Sequence, residues 1–142
     1  MKLDYSLGYL LNVSARLMKQ RLDNGLRKYS LTTSQWAILK ILSEHDEMTQ
    51  VEIASLIHSD KATCGTILFK LQKKQMIEKI PSLEDKRAYK IRLTNQAEDM
   101  MEEITLEAEK CNQIIEQRFE ANEIEELKRM LNSMIYEMER VV

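Results

Sequence analysis

Asp85-Lys86-Arg87-Ala88-Tyr89-Lys90-Ile91-Arg92-Leu93-Thr94 is the stretch on which the reading of this chain turns. Apolar and cationic residues alternate from Tyr89 to Leu93, the period of an extended strand with two unlike faces. Tyr89, Ile91 and Leu93 are expected on one side, Lys90 and Arg92 on the other. Ile77 to Pro81 can supply a partner strand. Between the two, Ser82, Leu83, Glu84 and Asp85 form a polar tip that carries Lys86 and Arg87 outward. The product is a cationic β-hairpin, a wing of the shape that meets a groove of duplex DNA.

Immediately upstream, residues from about Lys61 to Gln75 read as an amphipathic helix that Ser59 or Asp60 can cap. Cys64, Ile67, Leu68 and Leu71 share one face, while Thr63, Thr66, Lys70 and Lys73 follow helical spacing on another. A shorter helix precedes it. Thr49 and Glu52 stand at the ends of a capping box, in which a threonine hydroxyl and a glutamate side chain each satisfy an amide of the first turn. That helix, carrying Val51, Ile53, Ala54, Leu56 and Ile57, is interrupted by His58-Ser59-Asp60. Thr32 and Gln35 form an equivalent box before the nearly continuous apolar run Trp36 to Leu42, expected to be a buried central helix.

Farther out, Leu3, Leu7, Leu10, Leu11, Leu17, Met18, Leu22 and Leu26 predict one long helix to about Tyr29. Thr94 can cap another, whose stripe is Ala97, Met100, Met101, Ile104, Ala108, Cys111, Ile115 and Phe119. After a turn near Ala121, Asn122 with Glu125 opens a last helix bearing Ile124, Leu127, Leu131, Met134, Ile135 and Met138. These outer stripes exceed what a small winged domain can cover, so a symmetric dimer with an intertwined helical base is expected. The fold class is mainly α (α+β): a winged helix-turn-helix of about six helices, dimerising through its N- and C-terminal helices.

At 142 residues the chain fits a single domain. Within 1–142, residues 31–94 form the expected DNA-binding region, and 1–30 with 95–142 the helical dimerisation region. Only 3 Gly and 1 Pro argue against an all-β sandwich or a disordered linker. No run has the length of a membrane span and the start Met1-Lys2-Leu3-Asp4 lacks a signal-peptide core, so a cytoplasmic protein without membrane partners is expected. Cys64, Cys111, His45 and His58 are not in zinc-ligand spacing, and no metal or cofactor is expected. Nor does any nucleophile, base and orienting residue form a recognisable arrangement, which excludes an enzyme at this level of reading.

The net charge of −2 conceals an uneven distribution. Thr49 to Thr94 holds nine basic residues against five acidic, whereas from Asn95 onward thirteen acidic residues face five basic. A basic middle with an acidic tail suits a protein that touches phosphate at its centre and holds its outer helices away.

Leu31-Thr32-Thr33-Ser34-Gln35-Trp36, the segment Asp60 to Ile77 with its central Leu71, Asp85-Lys86-Arg87 as a D-x-R wing, and Leu93-Thr94 together resemble the MarR family of bacterial winged helix-turn-helix regulators. The likeness runs over nearly the whole chain. It implies a homodimer with recognition helices in successive major grooves of a pseudo-palindromic operator, and a wing arginine, Arg87, in the minor groove. It also implies a small aromatic or phenolic effector bound between the first helix, the central helices and the fifth. The chain departs from the family at Gln75, where a glycine usually follows the recognition helix, and at Thr66, where many relatives carry arginine. Base reading through threonine hydroxyls, water or groove shape is then expected in place of arginine.

The expected DNA-binding residues are Lys61, Thr63, Thr66, Lys70, Lys73, Lys86 and Arg87, with Asp85 holding Arg87 in place. Lys74, Lys90 and Arg92 are assigned with Lys73 and Lys86 to phosphate. Arg16 is the candidate carboxylate partner and Trp36 the aromatic wall of an effector pocket, to which Tyr9, Tyr29 and the methionines also qualify. His45 and His58 read as capping or surface residues. Three functions compete: a repressor released by a small molecule, a regulator that senses oxidation through Cys64, and an interaction module that no longer binds DNA.

Overall fold

Thr32, Thr49, Asp60 and Thr94 each stand before a helix with the cap chemistry that their sequence context implies. Thr32 accepts from the Gln35 amide and Gln35 Oε1 accepts from the Thr32 amide; Thr49 and Glu52 repeat the reciprocal pair. Asp60 accepts from the Thr63 amide at 2.7 Å, and Thr94 from the Ala97 amide at 3.2 Å. The computed structural model, which describes residues 1–84 and 88–140, accordingly runs α1 (Leu7–Leu26), α2 (Thr33–His45), α3 (Gln50–Leu56), α4 (Lys61–Lys73), β1 (Ile77–Pro81), β2 (Tyr89–Leu93), α5 (Asn95–Glu116) and α6 (Ala121–Arg140). This is the expected winged helix-turn-helix order.

The ends of these helices depart from expectation in instructive ways. The first segment is not one helix: Leu3–Tyr5 forms a 3-10 turn, Ser6 is extended with ψ 126°, and a second 3-10 turn, Arg27–Tyr29, follows α1. The last helix starts at Ala121 rather than after Asn122, because Glu123 Oε1 accepts from the Glu120 amide at 2.9 Å. With acidic residues at 120, 123, 125 and 126, several frames are chemically eligible. Recognition helix α4 stops at Lys73, and Gln75 takes the left-handed conformation, with φ 59°, that glycine usually fills. Ser30, after the 3-10 turn Arg27–Tyr29, and His58, after α3, take the same conformation at φ 57° and 55°. At all three, the next amide reaches back to close the final turn: Leu31 to Leu26, Ser59 to Ala54 and Met76 to Leu71.

The chain divides into two compact units, 1–108 and 109–142. In the first, α2 supplies Ile38, Leu39 and Leu42 to a core completed by Leu26, Ile53, Cys64, Leu71, Ile77, Ile91 and Ile104, all essentially inaccessible to water. Removing such side chains from water is the main favourable term of the fold, roughly 1.5–3 kcal/mol for each large aliphatic group. β1 and β2 pair antiparallel with Ile77 opposite Leu93 and Lys79 opposite Ile91. Met48 extends this ladder on the other side of Ile91, exchanging backbone hydrogen bonds of 3.0 and 2.7 Å with it. The short loop between α2 and α3 thereby fixes the base of the hairpin.

Ile91 and Leu93 face the core as the alternation demands, but Tyr89, at the tip-proximal end of β2, is 55% exposed. The second unit holds the end of α5 and all of α6, bridged by Lys128 to Glu116 at 3.3 Å. None of the described residues of α6 is buried, and Leu127, Met130, Ile135 and Met138 stand in solvent. Leu3, Leu7, Leu10 and Leu17 are exposed at the other end of the chain.

Candidate nucleic-acid interface

Helix α4 presents its cations because its opposite side is consumed by packing. Cys64, Leu68 and Leu71 are buried, whereas Lys61, Thr63, Thr66, Lys70 and Lys73 are all exposed. Thr63, Thr66, Lys70 and Lys73 therefore share one accessible side, and Lys61 is accessible separately in the first turn. Asp85, Lys86 and Arg87 lie outside the described residues.

Both ends of α4 are tied down by side chains from neighbouring segments. At the start, Gln50 Nε2 of α3 donates to the Lys61 carbonyl at 3.2 Å. Gly65 makes room for that crossing, since a Cβ built there would stand 3.0 Å from Gln50 Nε2. A Cβ at this position would make the flexible end of Gln50 give way by a few tenths of an ångström. At the far end, the Lys74 ammonium donates to the Ser30 carbonyl and, at 3.1 Å, to Gln35 Oε1. Lys74 is therefore a structural tie rather than the phosphate contact its sequence position suggested. Gln35 is buried because it serves both this lysine and the Thr32 cap.

Arg92 needs a similar correction. Its guanidinium pairs with Glu78 across the hairpin at 2.8 Å and approaches Glu47 at 3.8 Å. Both pairs are exposed, so a phosphate reaching Arg92 would compete with these carboxylates. Lys90 is half-buried, and Lys79 is exposed on β1.

Hydrogen bonding defines what the threonines offer. Thr63 Oγ1 donates to Asp60 Oδ2 at 2.9 Å, and Thr66 Oγ1 donates to the Ala62 carbonyl at 3.1 Å. With their protons engaged, both hydroxyls face outward as acceptors, suited to the amino groups of adenine or cytosine. The Thr63 amide and hydroxyl hold the Asp60 carboxyl below its usual range, so the cap is anionic at neutral pH.

Cys64 is fully buried, and burial followed by the nearby Asp60 charge pushes its thiol upward. A raised, inaccessible thiol is a poor nucleophile, which sets the oxidation reading aside. Arg16 is exposed on α1. Trp36 is half-buried on α2, with its Nε1 enclosed and lacking a hydrogen-bond partner among the described residues.

No described helix is long and apolar enough to cross a membrane. Among the described residues, no group of three or more His, Cys, Asp or Glu is placed to hold a metal ion.

Residues 31–89 match the MarR family model. YwoH of Bacillus subtilis (strain 168), described as an uncharacterized helix-turn-helix-type transcriptional regulator, is 32% identical over 96 residues, covering 68% of this chain and 69% of the relative. The chain belongs to the MarR family. The helix-turn-helix-type transcriptional repressor IacR of Pseudomonas putida is 26% identical over 144 residues, covering 97% of this chain and 82% of its own. The crystal structure of the Staphylococcus aureus MepR–DNA complex superposes with a TM-score of 0.85 at 25% identity, covering 94% of this chain and 98% of MepR. As a MarR-family member, this chain is a DNA-binding transcriptional regulator. Its relatives' role is regulatory rather than catalytic.

Proposed function

We propose that two copies of this chain form a repressor that occupies a pseudo-palindromic operator and leaves it when a small aromatic acid or phenol binds. Residues 31–94 read the duplex; residues 1–30 and 95–142 join the copies. Lys61, Thr63, Thr66 and Lys70 enter the major groove, Lys73 and Lys86 meet phosphate, and Arg87, steadied by Asp85, reaches into the minor groove. The observation that carries this reading is the two-sided character of α4, whose buried face is fixed at both ends while Gln72 and all five candidate residues remain exposed.

Support for pairing comes from the leucines left exposed in the first segment and from the wholly unburied α6. Such apolar surface calls for a partner. Support for an effector site comes from Trp36, whose enclosed indole N–H has no acceptor among the described residues. A carboxylate or phenolate would satisfy it, with Arg16 as the countercharge. Cytoplasmic location follows from the role, because the operator is there.

The test is a titration of the chain on fragments of its own promoter over a range of salt. Specific binding that falls steeply with salt supports the repressor. Binding that is absent or indifferent to salt favours a protein-interaction module. Arg87→Ala weakens the operator complex and leaves the dimer intact; unchanged affinity removes the wing from the mechanism. A thermal-shift screen of phenolic acids addresses the effector, since a ligand of the folded state raises the midpoint.

A further inference from the structure

Phe69 is a large apolar residue exposed on the polar side of the recognition helix. It is 57% exposed, and the Lys73 ammonium sits 4.7 Å from its ring centroid. Ala62, Thr66, Phe69 and Lys73 follow one another at helical spacing, and all four are exposed. They form a strip that shares Thr66 and Lys73 with the polar row already described and adds Ala62 and Phe69 on its flank.

The chemistry of this strip differs from that of its neighbours. Thr66 turns its hydroxyl proton back to Ala62, and Ala62 offers only a methyl group. From Ala62 to Phe69 the strip therefore offers a methyl group, the methyl and acceptor oxygen of Thr66, and a phenyl ring, with Lys61 and Lys73 near its ends. Base edges in the major groove carry one apolar group, the C5 methyl of thymine, and phenylalanine is among the side chains that contact it. The Lys73 ammonium over the ring holds the phenyl in place and keeps positive charge where the adjoining backbone phosphate lies.

We infer that Phe69 is a specificity-determining residue that recognises a thymine methyl in each half-site of the operator. The inference rests on α4 being the reading element. It adds an apolar base contact at a position that the polar pattern of the helix passes over, and it explains why a phenylalanine is kept in solvent on a DNA-facing helix.

The experiment starts from duplexes selected by the wild-type chain out of a random-sequence pool. In the protected region of a selected duplex, each thymidine is replaced in turn by deoxyuridine, which deletes only the methyl. At one position per half-site the wild type is expected to lose about fourfold in affinity, the worth of one buried carbon. Phe69→Ala binds the thymine duplex more weakly by a similar factor and is indifferent to uridine at that position. Phe69→Leu, which keeps an apolar side chain, retains part of the discrimination and serves as a second variant.

A wild-type chain insensitive to every uridine, or a uridine penalty that persists undiminished in Phe69→Ala, overturns the inference while leaving DNA binding by α4 standing. Loss of the dimer in Phe69→Ala likewise overturns it, by assigning the ring to subunit contact. Failure of the wild type to select any duplex removes the DNA reading itself, and this inference with it.

Discussion

Replacing Gln75 by glycine stabilises the protein, although it deletes a whole side chain. Gln75 sits at φ 59° immediately after α4, in a conformation where a Cβ crowds the backbone. For an L-residue that crowding costs about 1–2 kcal/mol. Glycine removes it, but its larger freedom in the unfolded chain offsets about 0.4–1 kcal/mol. The side chain is exposed, and its loss uncovers no core. What Gln75 contributes is backbone: its amide donates to the Gln72 carbonyl at 3.0 Å, and its carbonyl accepts from Thr94 Oγ1 at 2.8 Å. Both bonds survive the substitution.

The expected net gain for Gln75→Gly is about 0.5–1 kcal/mol, a rise of about 2–4 °C in thermal midpoint. Midpoints are compared at one fixed protein concentration, because association shifts them. Urea titration gives the same sign with unchanged denaturant dependence, as for a change in stability that does not alter the surface exposed. Gln75→Ala provides the control: it keeps the Cβ and stays near the wild type. Gln75→Val, branched at that carbon, is less stable than either. If glycine is no better than alanine, the backbone at this turn is not strained and the reasoning fails.

Other substitutions probe the ties described above. Asp23 accepts from the amide and hydroxyl of Thr33, each at 2.7 Å, and from Lys19 at 2.9 Å. Burial alone raises its pKa, but these donors outweigh burial and the net shift is downward. A lowered folded-state value means that the contribution of Asp23 is complete above the unfolded value, near 3.8, and is lost as pH falls through the folded one. Asp23→Asn therefore costs about 1–2 kcal/mol in urea at neutral pH, and the difference from wild type shrinks below about pH 4. Lys70→Ala lowers the dependence of operator affinity on salt by about one ion per contact, whereas Arg92→Ala, whose charge is already paired, leaves that slope unchanged. Equal slopes for the two variants contradict the assignment. Gly65→Ala gains about 1 kcal/mol of helix propensity but displaces the end of Gln50, so its benefit is larger in a Gln50→Ala background than in the wild type; a double-mutant cycle without coupling refutes the proposed crossing.

Much of the winged fold is legible because its punctuation is local. Thr32 with Gln35, Thr49 with Glu52, Asp60 with Thr63 and Thr94 with Ala97 are each decided within four residues, by cap chemistry that no distant contact overrides. The period of β2 is equally local. Lys74 and Arg92 show where such reading stops: both are exposed-looking cations, and only the return of the chain brings Ser30 and Gln35 to one, and Glu47 to the other. Met48 is hidden for the same reason, since its pairing with Ile91 depends on where a loop crosses the hairpin base. The start of α6 is ambiguous even locally, because closely spaced glutamates offer competing frames and the geometry of the turn selects Glu123. At α4, spacing separates the buried from the exposed face, but residue type drew attention to lysine and threonine and away from Phe69.

The anchoring of α4 at both ends has a mechanical consequence. Gln50 at its start and Lys74 beyond its finish make the helix a beam clamped to α3 and to the entrance of α2. A clamped beam resists bending and resists tilting on its own. Moving α4 by itself would break these two bonds, so the helix is expected to shift only together with α3 and the start of α2.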